Sequence, residues 1–260
     1  MIQRIKDIDV AYTESGEGEA VVLVHGLAED RRSFADVQAR LQDFSTFAYD
    51  LRGHGDTSLG EAEGTLAQLG EDLIAFVEAL TGPAKCVGYS LGGTVVLWAA
   101  IKRPDLIKQA VVVGTSTVVG SFAAGFFNDR IELIQNDPAS FRKALRDDTA
   151  AQIVNPGIDI DAITRRRVDA VGDGGGYINA ARAMIGVHTE PLTPQLGGIT
   201  CPVDVIGADG DVFCPRKAAD IILDGLKQGT YHEVAHAGHL VSVDQPAAYA
   251  MTLRNALLRS

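Results

Sequence analysis

The stretch that most constrains this chain runs from Ala84 to Arg103. It begins as a short apolar strand, crosses Gly88-Tyr89-Ser90-Leu91-Gly92, and continues as a helix rich in Ala, Leu and Val. A serine on a sharp strand-to-helix turn has strained backbone dihedrals, and its neighbours must lack Cβ atoms to avoid collision. Glycines two residues before and two residues after Ser90 meet that need. Such a turn presents the Oγ at the positive end of the following helix. It also aims the Leu91 amide at the point where an oxyanion would form. The plain alternative is a glycine-rich turn with an ordinary surface serine, since a five-residue pattern arises by chance. The strand before it and the helix after it favour a nucleophile.

A chain of 260 residues suits one large α/β domain, or one domain with a small insertion. Its net charge of −11 argues against a nucleic-acid partner, because no basic stripe is present. The one basic run, Arg165-Arg166-Arg167, stands between Asp161 and Asp169 and reads as a solvated helix face. Three cysteines without regular spacing are no disulfide framework, and Cys86, in an apolar strand, reads as a small buried hydrophobe. The N-terminus lacks the apolar core of a signal peptide, and no apolar run approaches membrane-span length. The expectation is a cytoplasmic protein, monomer or homodimer, with no membrane partner.

Residues 2 to 14 alternate apolar and polar, which predicts an antiparallel strand or hairpin. Ala20 to Val24 is a continuous apolar run of the kind buried on both faces, and it ends in His25-Gly26-Leu27-Ala28. A helix from about Ser33 to Leu41 precedes a strand from Phe44 to Tyr49 and the loop Asp50-Leu51-Arg52-Gly53-His54-Gly55-Asp56-Thr57. Leu66, Leu69, Leu73, Phe76, Val77 and Leu80 recur at helical spacing. Beyond the serine turn, Lys108 to Gly114 is a further strand. Residues 116 to about 196 then carry helical segments but no buried strand, with Asp173-Gly174-Gly175-Gly176 read as a flexible joint. Alternation resumes with a strand at Val203 to Ala208, a helix near Pro215 to Leu226, a strand near Thr230 and a last helix from Gln245 to Leu258. This order implies a mostly parallel sheet covered on both faces, residues 1–116 and 197–260, with residues 117–196 forming a helical cap. Ligands bind at the carboxyl ends of such strands, where the motif residues fall.

Acyl transfer needs a nucleophile, a base and an acid that orients the base. Ser90 is the nucleophile. Two histidines lie near the C-terminus, His236 and His239. His239 is favoured because Gly238 lends its loop freedom and a helix starts soon after. His25 and His54 sit in early glycine-containing loops, where a structural hydrogen bond is the expected role. The orienting acid is Asp211, four residues before Pro215, with Asp209 a competitor. The resulting order of Ser, Asp and His suits this architecture. The amides of Leu27 and Leu91 are the candidate oxyanion donors. No paired cysteines, helical H-x-x-x-H or carboxylate cluster indicates a metal. Phe122, Phe126, Phe127, Tyr177 and Met184 are candidates to line a pocket in the cap, with packing against the core as their plain alternative.

In these residues the chain resembles the α/β-hydrolase superfamily. The matching elements are His25-Gly26-Leu27, Asp50 to Thr57, Gly88-Tyr89-Ser90-Leu91-Gly92-Gly93, Asp211 with Pro215, and Gly238-His239, spread over residues 20 to 246. The resemblance implies an α/β fold with a mostly parallel eight-stranded sheet, a helical cap and no cofactor. Serine at position 90 sets the chain apart from epoxide hydrolases and haloalkane dehalogenases, which carry aspartate there. Leu240 departs from the tryptophan of carbon–carbon hydrolases, and Leu27-Ala28 lacks the proline of perhydrolases. The short cap and the run Gly238 to Pro246 are most similar to 3-oxoadipate enol-lactonase and related small esterases. The expected activity is hydrolysis of a small-molecule ester or lactone. A carbon–carbon hydrolase of a vinylogous diketone and a non-catalytic small-molecule sensor are the rivals.

Overall fold

Eight strands form in the computed structural model, which describes residues 1–259: β1 (Ile2–Ile5), β2 (Ile8–Ser15), β3 (Glu19–Val24), β4 (Phe44–Tyr49), β5 (Ala84–Tyr89), β6 (Ile107–Val113), β7 (Val203–Ala208) and β8 (Gly229–Val234). Residue 260, the last of the expected core, lies outside the described residues. The strands make one sheet in the order β1-β2-β4-β3-β5-β6-β7-β8. The first two form the hairpin that alternation predicts, and β2 runs antiparallel to β4. All remaining pairs are parallel. Ten α-helices occur among the described residues: α1 (Ala35–Arg40), α2 (Leu66–Leu80), α3 (Leu91–Lys102), α4 (Ser121–Asn136), α5 (Pro138–Ala151), α6 (Ile160–Val171), α7 (Gly175–Thr189), α8 (Arg216–Gly225), α9 (Val241–Asp244) and α10 (Pro246–Leu257).

The central strands are apolar at consecutive positions because both of their faces are covered. Val22 and Val24 of β3 pack in one cluster with α2, α3 and α8, while Val21 and Leu23 pack in another with α1 and α10. Val112 and Val111 of β6 divide the same way. Successive side chains of a strand point to opposite faces, so one continuous run feeds two cores.

Helices α4 to α7 all lie between β6 and β7. They share a small core of their own, in which Ile131, Ile134, Phe141, Leu145, Val171, Tyr177 and Ala181 pack with Ala28 from the loop after β3. Asp173 to Gly176 is not a flexible joint. Gly174 caps α7 in a left-handed conformation (φ 90°), and Gly175 and Gly176 form its first turn. A Cβ on Gly176 would lie 2.3 Å from the carbonyl of Gly53. The glycines let the cap touch the backbone of the loop after β4.

That loop is held by Arg52, whose side chain is almost fully buried. Its guanidinium donates to both oxygens of buried Asp72 on α2 at 2.9 Å and to both oxygens of Asp7 at 2.8 Å. It also donates to the carbonyls of Leu59 and Glu61. Burial pushes the Asp72 carboxyl above its ordinary range, against the pull of Arg52. The pair therefore compensates a desolvation cost more than it adds net stability. Replacing Arg52 with Met should destabilise the protein by about 3–5 kcal/mol, because the buried Asp72 carboxyl loses its partner. Urea unfolding of R52M and R52M/D72L would measure it, with the double variant expected to recover part of the loss.

Candidate active site

The loops after β3, β5, β7 and β8 converge at the carboxyl edge of the sheet. Ser90, between β5 and α3, has φ 52° and ψ −120°, a conformation that L-residues rarely adopt. Its N–H donates to Val113 O at 2.8 Å, and its carbonyl accepts from Thr115 Oγ1 at 3.1 Å. Position 92 has no room for a side chain: a Cβ there would lie 2.2 Å from Val24 O.

His239, in the loop after β8, places Nε2 3.0 Å from Ser90 Oγ. Its Nδ1 lies 2.8 Å from Asp211 Oδ2. Asp211 Oδ1 accepts the N–H groups of Phe213 and Cys214 at 2.8 and 2.9 Å. Burial raises the Asp211 carboxyl, but the hydrogen bond from His239 and these two amides outweigh it and hold the group below the ordinary carboxylate value. An ionised Asp211 accepts the Nδ1 proton, which leaves the Nε2 lone pair facing Ser90.

The competitors lie elsewhere. Asp209 is exposed and accepts the Ala237 N–H at 3.2 Å. His236 is exposed, with φ 58°. His25 is fully buried; its Nδ1 donates to Gly26 O at 2.8 Å and its Nε2 accepts from Leu51 N at 2.9 Å. His54 packs edge-on against it, 5.2 Å between ring centres.

The His239 loop is held firmly, contrary to the freedom expected from Gly238. Tyr89 Oη donates to the His239 carbonyl at 2.9 Å, and Leu240 N donates to Gln152 O at 3.0 Å. Asp244 accepts three backbone amides, from Gly238 at 2.7 Å and from Val154 and Asn155 in the cap at 3.1 and 2.9 Å. Cap and histidine loop are thus tied to one carboxylate.

A cavity of about 410 Å³ opens over Ser90. Leu27 and Leu91 line it, and among the described residues neither backbone N–H has a protein acceptor. Two donors are therefore free beside the serine. Phe122, Phe126, Phe127, Tyr177 and Met184 all line the cavity. Phe122 stands at the rim, 92% exposed. Tyr177 is buried and packs edge-on against Phe141, 5.3 Å between ring centres, so it serves packing and lining together.

Sequence reasoning missed Arg167. Arg165 and Arg166 are exposed, but Arg167 is only 7% exposed and lines the cavity. Helical spacing carried the signal: Arg167 is four residues from both Ile163 and Val171, which face inward. It also missed Asp148 and Gln152 of the cap and Val212, Phe213 and Cys214 beside Asp211. Among the described residues no group of His, Cys, Asp or Glu is arranged to hold a metal, and no helix is long and apolar enough to cross a membrane.

Residues 19–246 match the family described as the alpha/beta hydrolase fold, and the chain belongs to that family. It is 27% identical to 3-oxoadipate enol-lactonase 2 of Acinetobacter baylyi, over 94% of this chain and 91% of that protein. It is 25% identical to pyrrolizixenacetamide deacetylase of Xenorhabdus hominickii, over 98% and 97% of the two chains. The crystal structure of the enol-lactonase from Burkholderia xenovorans shares the fold at a TM-score of 0.88, with 22% identity and 99% of each chain covered.

The two buried histidines make stability depend on pH. Burial lowers His25 to about 4, and burial together with the nearby His25 lowers His54 to about 3, from an ordinary value of 6.5. Below pH 6.5 the unfolded chain binds protons that the folded chain refuses. Their contribution is complete above that pH and should fall by several kcal/mol as the pH drops toward 4. Urea midpoints measured from pH 7 to 4 would show the decline, and His54→Asn should flatten it.

Proposed function

We propose that this α/β-hydrolase cleaves a carboxylic ester or lactone of a small molecule through an acyl-enzyme on Ser90. One observation carries the reading: the His239 imidazole lies 3.0 Å from Ser90 Oγ on one side and 2.8 Å from Asp211 on the other. His239 keeps its proton on Nδ1, hydrogen-bonded to the Asp211 carboxylate, so Nε2 accepts the Ser90 hydroxyl proton as Oγ attacks the carbonyl carbon. The negative oxygen that develops takes hydrogen bonds from the Leu27 and Leu91 amides, near the positive end of α3. Each such donor is worth about 3–4 kcal/mol in the barrier. The carbon–oxygen bond then breaks, and His239 gives its proton to the departing alkoxide. In a lactone that alkoxide stays tethered to the acyl group. Water, deprotonated by the same imidazole, releases the acid and restores Ser90.

The cavity admits a small substrate with a largely apolar skeleton, since Val118, Val119, Phe126, Phe127 and Met184 form much of its wall. Similarity to an enol-lactonase supports an ester-type carbonyl.

Ser90→Ala should lower kcat on p-nitrophenyl esters by roughly 10⁴–10⁶-fold and abolish covalent labelling by a fluorophosphonate. Persistent labelling of that variant would refute the assignment. Asp211→Asn should cost about 10⁴-fold in kcat, because an amide donates where the carboxylate accepts and so favours the wrong tautomer. A panel of p-nitrophenyl esters run beside enol- and acyl-homoserine-type lactones would rank the substrates. Product release that stops at one equivalent would indicate a sensor instead.

A further inference from the structure

Arg167 is a buried cation without a counter-ion. Among the described residues no carboxylate comes within ion-pairing distance of it. Its Nη1 donates to Thr149 Oγ1 at 2.8 Å, and its Nε is buried with no partner. The adjacent carboxylate on the cavity wall, Asp148, is already engaged by both 2.7 Å hydrogen bonds from Arg130. Glu29 is also buried nearby, but burial outweighs the pull of Arg167 and makes its carboxyl harder to ionise. Gln152, which caps the end of α5, lines the same cavity at 7% exposure, and its Oε1 too is buried without a partner. Burying a guanidinium in this way costs several kcal/mol unless something compensates it.

We propose that Arg167 determines specificity by receiving a carboxylate carried on the acyl or the leaving portion of the substrate. The inference rests on the hydrolase reading above and names the substrate class for that site: small, mostly apolar esters or lactones bearing one carboxylate. A single unpaired guanidinium matches a single negative charge. A phosphate dianion would need a second cation, and Arg130 is held by Asp148. The Gln152 amide, on the same wall, carries an NH₂ group that can serve as a further donor. The net charge of −11 gives no long-range attraction for anions, so selection falls to this short-range contact inside the cavity.

The test uses a matched pair of substrates, the mono-p-nitrophenyl ester of glutaric acid and p-nitrophenyl valerate. The wild-type protein should favour the anionic ester in kcat/KM by about 10–100-fold, the range expected of a charge-assisted hydrogen bond. Arg167→Gln should bring that ratio close to one, chiefly through KM, and Arg167→Lys should keep part of it. A wild-type preference for the neutral ester would overturn the proposal, as would an Arg167→Gln variant with an unchanged ratio. Binding separates this failure from failure of the hydrolase reading. Calorimetry on Ser90→Ala should detect monomethyl glutarate more tightly than methyl valerate, and S90A/R167K should weaken that difference. If neither ester turns over but this preference holds, the hydrolase reading fails and the carboxylate site stands. If esters turn over but the preference is absent, the carboxylate site fails alone.

Discussion

The close approach of α3 to the sheet governs the rest of the molecule. At position 92 the helix passes so near β3 that a methyl group would lie 2.2 Å from Val24 O. The chain enters α3 from β5 through a residue of positive φ, Ser90. Such a conformation costs about 1–3 kcal/mol and persists only where the surroundings over-determine it. Here they do: the serine amide is bonded to β6, its carbonyl accepts from Thr115, and the first helical turn is buried. The same close contact brings the loop after β3, with Leu27, alongside the hydroxyl.

The cap is part of the same arrangement. It rests on the loop after β4 at Gly176 and on the histidine loop at Asp244 and Gln152. Each contact involves backbone groups, which tolerate little displacement before their hydrogen bonds are lost. Arg52 anchors the loop after β4 from beneath, and His25 joins that loop to the one after β3 through Leu51 N. The cavity over Ser90 is thus walled by segments tied to one another.

Much of this was legible in the sequence for simple reasons. Strands buried on both faces leave continuous apolar runs, and a strained turn leaves glycines at set positions. The candidate residues Ser90, Asp211 and His239 could be named because each follows a strand end. The preference for Asp211 over Asp209 rested on its distance from Pro215 alone, since both are short acids in one loop and only the path of the chain decides which reaches the imidazole. Asp173 to Gly176 looked pliable because glycine is compatible with freedom and with crowding alike. Arg167 looked solvated because its two neighbours are, although its spacing from Ile163 and Val171 pointed inward.

Local periodicity and turn chemistry determined the succession of strands and helices, the strand-end positions of the reactive residues and the family. These follow from interactions between near neighbours along the chain. The tertiary structure alone decided which aspartate meets His239, which glycines serve contact between segments, and that a cap arginine is buried in the cavity without a counter-ion. Those outcomes depend on distances between residues far apart in sequence, set when the two faces of the sheet and the cap pack together.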